Sequence, residues 1–171
     1  NPEGYDYCIL KFNIPERSMA ELEMAYYEMA VQAGIRMYPC WLMEVEGNKH
    51  FMTKRFDREG NKKIHMQTLA ALYPEADSYE RLLWVCRKMQ LSELDSEEIF
   101  RRMIFNILAN NTDDHNKNFS FLMDESGKWS LSPAYDLTYI FNMRGYLPET
   151  QHCMMIRGKL SNITLEDVME L

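Results

Sequence analysis

The amino-acid sequence predicts an α+β fold in two lobes, a small sheet-and-helix lobe over residues 1–56 and a mainly helical lobe over residues 57–171. Three observations predict it. Apolar residues follow a strand, helix, hairpin order as far as Phe56. Beyond Asp57 they switch to helical spacing. The composition, 46% hydrophobic and 26% charged among 171 residues, supports a packed interior rather than disorder.

The elements follow in order. Residues 5–12, rich in aromatic and aliphatic side chains, read as a strand. Residues 18–33 read as a helix, with Ser18 and Glu21 as a capping box. Leu22, Ala25, Tyr26, Met29 and Ala33 form one face of it, and Gly34 is the stop. Strands at 41–46 and 50–56 follow, joined by a turn at Gly47 and Asn48. Three helices are expected next, over 65–72, over 79–89, and from a cap at Asp95 with Glu98 three residues on. In the last of these Phe100, Met103, Ile104, Ile107 and Leu108 recur at the helical period. Residues 119–123 and 128–131 read as a second hairpin, closed by a turn over 133–137.

Composition also excludes functions. A net charge of −7 and a pI near 5.1 argue against unaided nucleic-acid binding, which needs clustered Lys and Arg. The four cysteines, Cys8, Cys40, Cys86 and Cys153, have neither CxxC spacing nor His partners, so the expectation is reduced thiols in the cytoplasm. No apolar run approaches the roughly 18 residues of a membrane span, and no signal peptide opens the chain. The fourteen methionines read as core filler.

Residues 110–118 carry the chemistry. This polar stretch lies between an amphipathic helix and an apolar hairpin, so it must satisfy many polar groups or bind something. An Asp that accepts the proton of an attacking hydroxyl, with an Asn five residues later offering a hard oxygen to magnesium, suits phosphoryl transfer. Asp113 and Asn118 have that spacing, and Asp136 stands after the second hairpin, where a further metal carboxylate is expected; taken singly, Asp113-Asp114 also reads as a turn or cap and Asp136 as a helix cap. His115 reads either as a brace for the loop or as a ligand in an Asp113–Asp114–His115 metal cluster. Lys117 offsets phosphate charge or faces solvent. Lys11 stands mid-strand on the face of Ile9, suited to hold ATP phosphates. Glu23 lies about 20° from Ala30 on the helical wheel, suited either to pair with that lysine or to form a solvated rim.

The run from Asn111 to Ser120, followed by Leu131-Ser132-Pro133-Ala134-Tyr135-Asp136-Leu137, resembles the signature of HipA-like serine/threonine kinases, toxins of bacterial toxin–antitoxin modules. The likeness extends to Ile9-Leu10-Lys11, Ala33-Gly34-Ile35, Lys54-Arg55-Phe56-Asp57-Arg58 and Ile64-His65-Met66. It implies a protein-kinase-like fold that binds ATP and Mg2+. In it Asp113 is the catalytic base, Asn118 and Asp136 are the metal ligands, and Lys11 sits on the ATP phosphates. Lys54, Arg55 and Phe56 form the hinge that reads adenine, with Asp57 near the ribose. It also implies a protein substrate and, as partner, an antitoxin with a DNA-binding domain. Only ten residues precede Lys11, where the family carries a phosphate-covering loop with a regulatory serine, and the family's helical lobe continues past the equivalent of Leu171. The expectation is therefore a domain incomplete at both ends. Two rivals stay open. The Asp113-x-His115-Asn116-x-Asn118 pattern also resembles phosphatidylinositol kinases, although no basic membrane-facing segment accompanies it. The other rival is a catalytically incomplete kinase-fold binding module of a split toxin–antitoxin system.

Overall fold

The structure, a computed structural model, describes residues 4–13, 18–139 and 151–171. Strand β1 (Cys8–Lys11), helix α1 (Met19–Gln32) and the hairpin β2 (Cys40–Val45) and β3 (Asn48–Lys54) form the first lobe, with antiparallel strand order β1-β3-β2. The hairpin turn is Glu46-Gly47, one residue earlier than the sequence suggested. Both residues have positive φ, 51° and 78°, as the right-handed twist of a two-residue loop requires.

The expected capping box of α1 is absent. Ser18 has φ 47° and its side chain caps nothing. Asn13, leaving β1, takes over: its Oδ1 accepts the Ala20 N–H (3.1 Å) and its Nδ2 donates to Glu21 (3.4 Å). At the other end Gly34 N–H bonds to Val31 O and Ile35 N–H to Ala30 O, a Schellman closure that the +78° φ of Gly34 permits. Tyr26, Ala30 and Ile35 then pack on Phe105, Ala134 and Leu137 of the second lobe.

Residues 65–72 are not one helix. They form strand β6 (His65–Thr68) and a single turn, α2 (Leu69–Leu72), capped by Thr68. The reason is a partner distant in sequence: β6 pairs with β7 (Ser120–Met123), which pairs with β8 (Trp129–Leu131). A minimal hairpin, β4 (Arg58–Glu59) and β5 (Lys62–Lys63), precedes them and was not foreseen. Helix α3 (Tyr79–Lys88) agrees with expectation apart from its last residue. Helix α4 (Glu93–Leu108) starts at Ser92, which forms a reciprocal capping box with Asp95, so Asp95 belongs to the first turn rather than the cap. A short α5 (Leu165–Met169) lies near the end. Leu82, Ile99, Met103, Phe121, Met154 and Ile156 lie in the main core. The core-filler reading holds for Met103 and Met154, whereas Met29, Met43, Met66 and Met169 are exposed. Among the described residues no helix is long and apolar enough to cross a membrane.

That earlier start turns Glu98 inward. Glu98 and Arg102, both 2% exposed, pair at 2.9 Å one turn apart. Glu98 also accepts the backbone N–H of Arg36 (3.0 Å), and Arg102 donates to the Ser132 carbonyl (2.8 Å). One buried pair thus ties α4 to the chain leaving α1 and to the segment that carries Asp136. Breaking such a pair strands the remaining charge. Glu98→Leu is expected to lower the unfolding free energy by about 3–5 kcal/mol in urea titration. A loss below about 1 kcal/mol, the worth of a surface pair, would contradict this placement.

Candidate active site

A cleft of about 310 Å³ opens between the first sheet and the second lobe. Ile9 and Lys11 line it and Leu10 does not, as strand alternation requires. Lys54, Arg55, Phe56 and Asp57 form one wall, and Lys117, Tyr135 and Asp136 close it from the other lobe.

Lys11 is the meeting point. Its Nζ lies 2.5 Å from Glu23 Oε1 and 2.5 Å from Asp136 Oδ1, which bridges residues 125 apart in sequence. Burial opposes the ammonium charge, yet the Glu23 and Asp136 carboxylates hold the Lys11 pKa above the ordinary lysine value. Glu23 is shifted up as well, by burial first, with the Lys11 charge opposing and Asp136 adding to the shift. Two carboxylates for one ammonium leave an excess negative charge, which a bound cation would balance.

Asp136 has φ +59°, a left-handed conformation that Asp tolerates better than most residues. The backbone on its N-terminal side is fixed before it. Ser132 N–H bonds to Ser120 O (2.9 Å), and Ala134 N–H bonds to Arg36 O (2.7 Å) in a short parallel bridge with Met37. The Tyr135 hydroxyl donates to Lys117 O (2.7 Å) and sits 2.5 Å from Ser120 Oγ, locking the Asp136 turn to the polar loop. Its ring meets Phe56 at 5.7 Å, and Phe56 meets Tyr38 at 6.0 Å. These rings give the cleft an aromatic wall. Sequence reasoning assigned no role to Tyr135, although an aromatic beside Asp136 was the available signal.

Within the polar loop, Asn118 Nδ2 donates to the Asp113 carbonyl (2.7 Å), which leaves the amide oxygen as the Asn118 atom suited to a hard cation. The Asp113 side chain is 44% exposed and lies 3.8 Å from His115 Nε2. Burial raises its pKa, the His115 contact opposes, and the carboxylates of Asp136 and Asp114 add to the rise. Asp114 points the other way, into the core, where it meets Tyr79 (2.8 Å) and His152 (3.1 Å). This overturns the Asp113–Asp114–His115 cluster: the two carboxylates diverge, and among the described residues no three His, Cys, Asp or Glu side chains are grouped to hold a metal.

Along the expected hinge, Lys54 N–H bonds to Pro39 O and Arg55 N–H to Tyr7 O, while the Lys54 ammonium turns away to Asp6 (2.8 Å). Arg55 grips Asp57 with two bonds, 2.7 and 2.5 Å, and Arg58 adds a third at 2.6 Å. The Arg55 bonds first of all, and the Arg58 charge with them, hold the Asp57 pKa below the usual carboxylate value against its burial.

A sheet-and-helix lobe set over a helical lobe, with a Lys–Glu–Asp triad in the cleft between them, defines a protein-kinase-like α+β fold. The chain belongs to the HipA-like C-terminal domain family, whose profile matches residues 1–170. It is 31% identical over 90 residues to the putative kinase Y4dM of Sinorhizobium fredii, covering 49% of this chain and 22% of that protein. It is 26% identical over 142 residues to a putative kinase of Haemophilus influenzae, covering 71% of this chain and 41% of that one. The chain therefore spans less than half the length of these curated relatives. Among solved structures, it superposes on the toxin–antitoxin complex of HipA, HipB and operator DNA from Shewanella oneidensis MR-1. There the TM-score is 0.78 at 20% identity, over 95% of this chain and 45% of the matched one. The proinflammatory kinase CtkA of Helicobacter pylori gives 0.65 at 15% identity, over 78% and 51%. At these identities the structural likeness concerns the fold.

The Tyr135 lock is testable without ligand. Removing its hydroxyl strands the Lys117 carbonyl and the fully buried Ser120, so Tyr135→Phe should cost about 1–3 kcal/mol. Thermal denaturation reads the difference directly, and an unchanged midpoint would mean that the hydroxyl fixes nothing.

Proposed function

We propose that the protein transfers the γ-phosphoryl group of Mg-ATP to a serine or threonine hydroxyl of a protein, as a HipA-like toxin kinase of a toxin–antitoxin module. The observation that carries this reading is the Lys11–Glu23–Asp136 triad, in which a lysine from one lobe is held by carboxylates from α1 and the opposite lobe. A kinase needs that lysine on the ATP phosphates and that glutamate to aim it.

In this reading the adenine lies against the aromatic wall of Tyr38, Phe56 and Tyr135, beside the backbone of Lys54, Arg55 and Phe56. Among the described residues Phe56 N–H has no backbone acceptor, so it is the hinge donor open to a base. Asp57 Oδ1 receives one bond from Arg55 and keeps a lone pair for a ribose hydroxyl. Asp136 and the Asn118 amide oxygen, hard donors both, suit Mg2+, with further ligands expected from phosphate oxygens. Bound magnesium would neutralise the charge that builds on the phosphates. Asp113, partly exposed and shifted toward higher pKa, accepts the proton of the substrate hydroxyl and orients its oxygen. His115 braces it at 3.8 Å, and Lys117, at the cleft edge, faces the phosphate charge. The acidic chain would reach DNA through an antitoxin that carries a DNA-binding domain, and cytoplasmic action fits the same reading. The likeness to a complex solved with HipB and operator DNA supports that partner class.

Two variants separate the roles. Asp113→Asn should reduce phosphoryl transfer by about 10² to 10⁴ while Mg-ATP affinity stays within a few-fold of wild type. Asp136→Asn should lower both. If Asp113→Asn abolished nucleotide binding but kept residual transfer, Asp113 would be a metal ligand and not the base.

A further inference from the structure

Asp113 and Asp114 are neighbours in sequence and opposites in environment. The Asp113 side chain is 44% exposed, and that of Asp114 is 0%. Burying a carboxylate costs several kcal/mol unless donors surround it. Here four do. Tyr79 Oη donates to Oδ2 (2.8 Å) and His152 Nδ1 lies 3.1 Å from the same atom, while Oδ1 accepts the N–H groups of Cys153 (2.8 Å) and Met154 (3.3 Å).

The bonds behind Tyr79 form a circuit. Asn111 Nδ2 donates to Asn106 Oδ1 (2.9 Å), Asn106 Nδ2 donates to the Tyr79 hydroxyl (2.9 Å), and Tyr79 donates to Asp114. Every bond runs in the same sense toward the carboxylate, the arrangement in which each polarises the next. Asn106 belongs to α4 and Tyr79 to α3, yet the circuit begins and ends in the polar loop, at Asn111 and Asp114. Those two anchors bracket Asp113. An apolar residue at 114 would fill space with no desolvation cost, but it would fix neither the direction of the loop nor the side to which its neighbour points.

Resting on the phosphoryl-transfer reading, we propose that Asp114 is a positioning residue for that reaction: its buried carboxylate, staked to Tyr79 and to the chain at 152–154, fixes the loop conformation that presents Asp113 to the cleft. Most of the nucleotide site does not depend on it, because Lys11, Asp136 and the aromatic wall are held by other contacts; Asn118, bonded to the Asp113 carbonyl, is the one proposed metal ligand in the same loop.

Steady-state kinetics on the full chain test this through the split between kcat and KM. In Asp114→Asn two of the four donors meet an amide NH2 instead of an oxygen, so kcat should fall about 10- to 100-fold, the effect of a displacement near 1 Å. The KM for ATP should change by no more than a few-fold, since Lys11, Asp136 and the aromatic wall are untouched and only Asn118 shares the loop. Tyr79→Phe keeps the carboxylate and removes two bonds, the one donated to Asp114 and the one accepted from Asn106; only the first touches the carboxylate, so kcat should fall by about tenfold or less at the same KM, roughly the worth of one hydrogen bond. Should Asp114→Asn lose its cooperative unfolding transition, Tyr79→Phe decides alone: a lower kcat at constant KM supports the role, and a wild-type kcat overturns it. A parallel loss of kcat and ATP affinity in either folded variant also overturns it, because that is general loosening. If the wild type transfers phosphate and both variants match it, this inference alone falls. If the wild type transfers none, the phosphoryl-transfer reading falls and takes this inference with it.

Discussion

The Glu98–Arg102 pair is the constraint on which the arrangement of the two lobes depends. It lies almost out of reach of water, where each charge is costly unless fully partnered. The partners it recruits are the backbone of Arg36, just after α1, and the carbonyl of Ser132, just before the Asp136 turn. Both belong to chain that must be placed correctly for the cleft to exist. The Arg36 carbonyl then accepts the Ala134 N–H, closing the link between the lobes. A pair of apolar residues could fill the same volume, but it would not select those two carbonyl and amide groups.

From that frame the charge distribution of the cleft follows. Asp136 arrives opposite Lys11 with its backbone in a left-handed conformation, and Glu23 arrives from α1 at the same ammonium. Lys11 is partly buried, and the two carboxylates hold it charged, as the phosphate-binding role we propose for it requires. The same excess of negative charge would repel a bare triphosphate, which is why our reading places a divalent cation between Asp136 and the nucleotide.

Much of this was legible in the sequence where the signal was local. Lys11 interrupts an apolar strand, and alternation alone gave its face. Residues 110–118 are polar where the flanking elements demand burial. What escaped notice depended on partners remote in sequence. Asn13 caps a helix through Ala20, seven residues on, where a Ser18–Glu21 pattern seemed sufficient. Residues 65–68 become a strand only because β7, more than fifty residues later, pairs with them. Ser92, three residues before the expected cap, turns Glu98 from a capping group into the buried charge of the core. Asp114 read as one more acid of the loop, since nothing near it in sequence shows the converging donors of Tyr79, His152, Cys153 and Met154.

We propose the cleft as a metal-dependent nucleotide site. Calorimetric titration of the wild-type protein with ATP, once with Mg2+ and once with EDTA, tests it most directly. Binding should weaken by at least about tenfold on chelation, roughly 1.4 kcal/mol, because Asp136 then faces the phosphates unshielded. Equal affinity under both conditions, or no ATP binding in the presence of Mg2+, would contradict it.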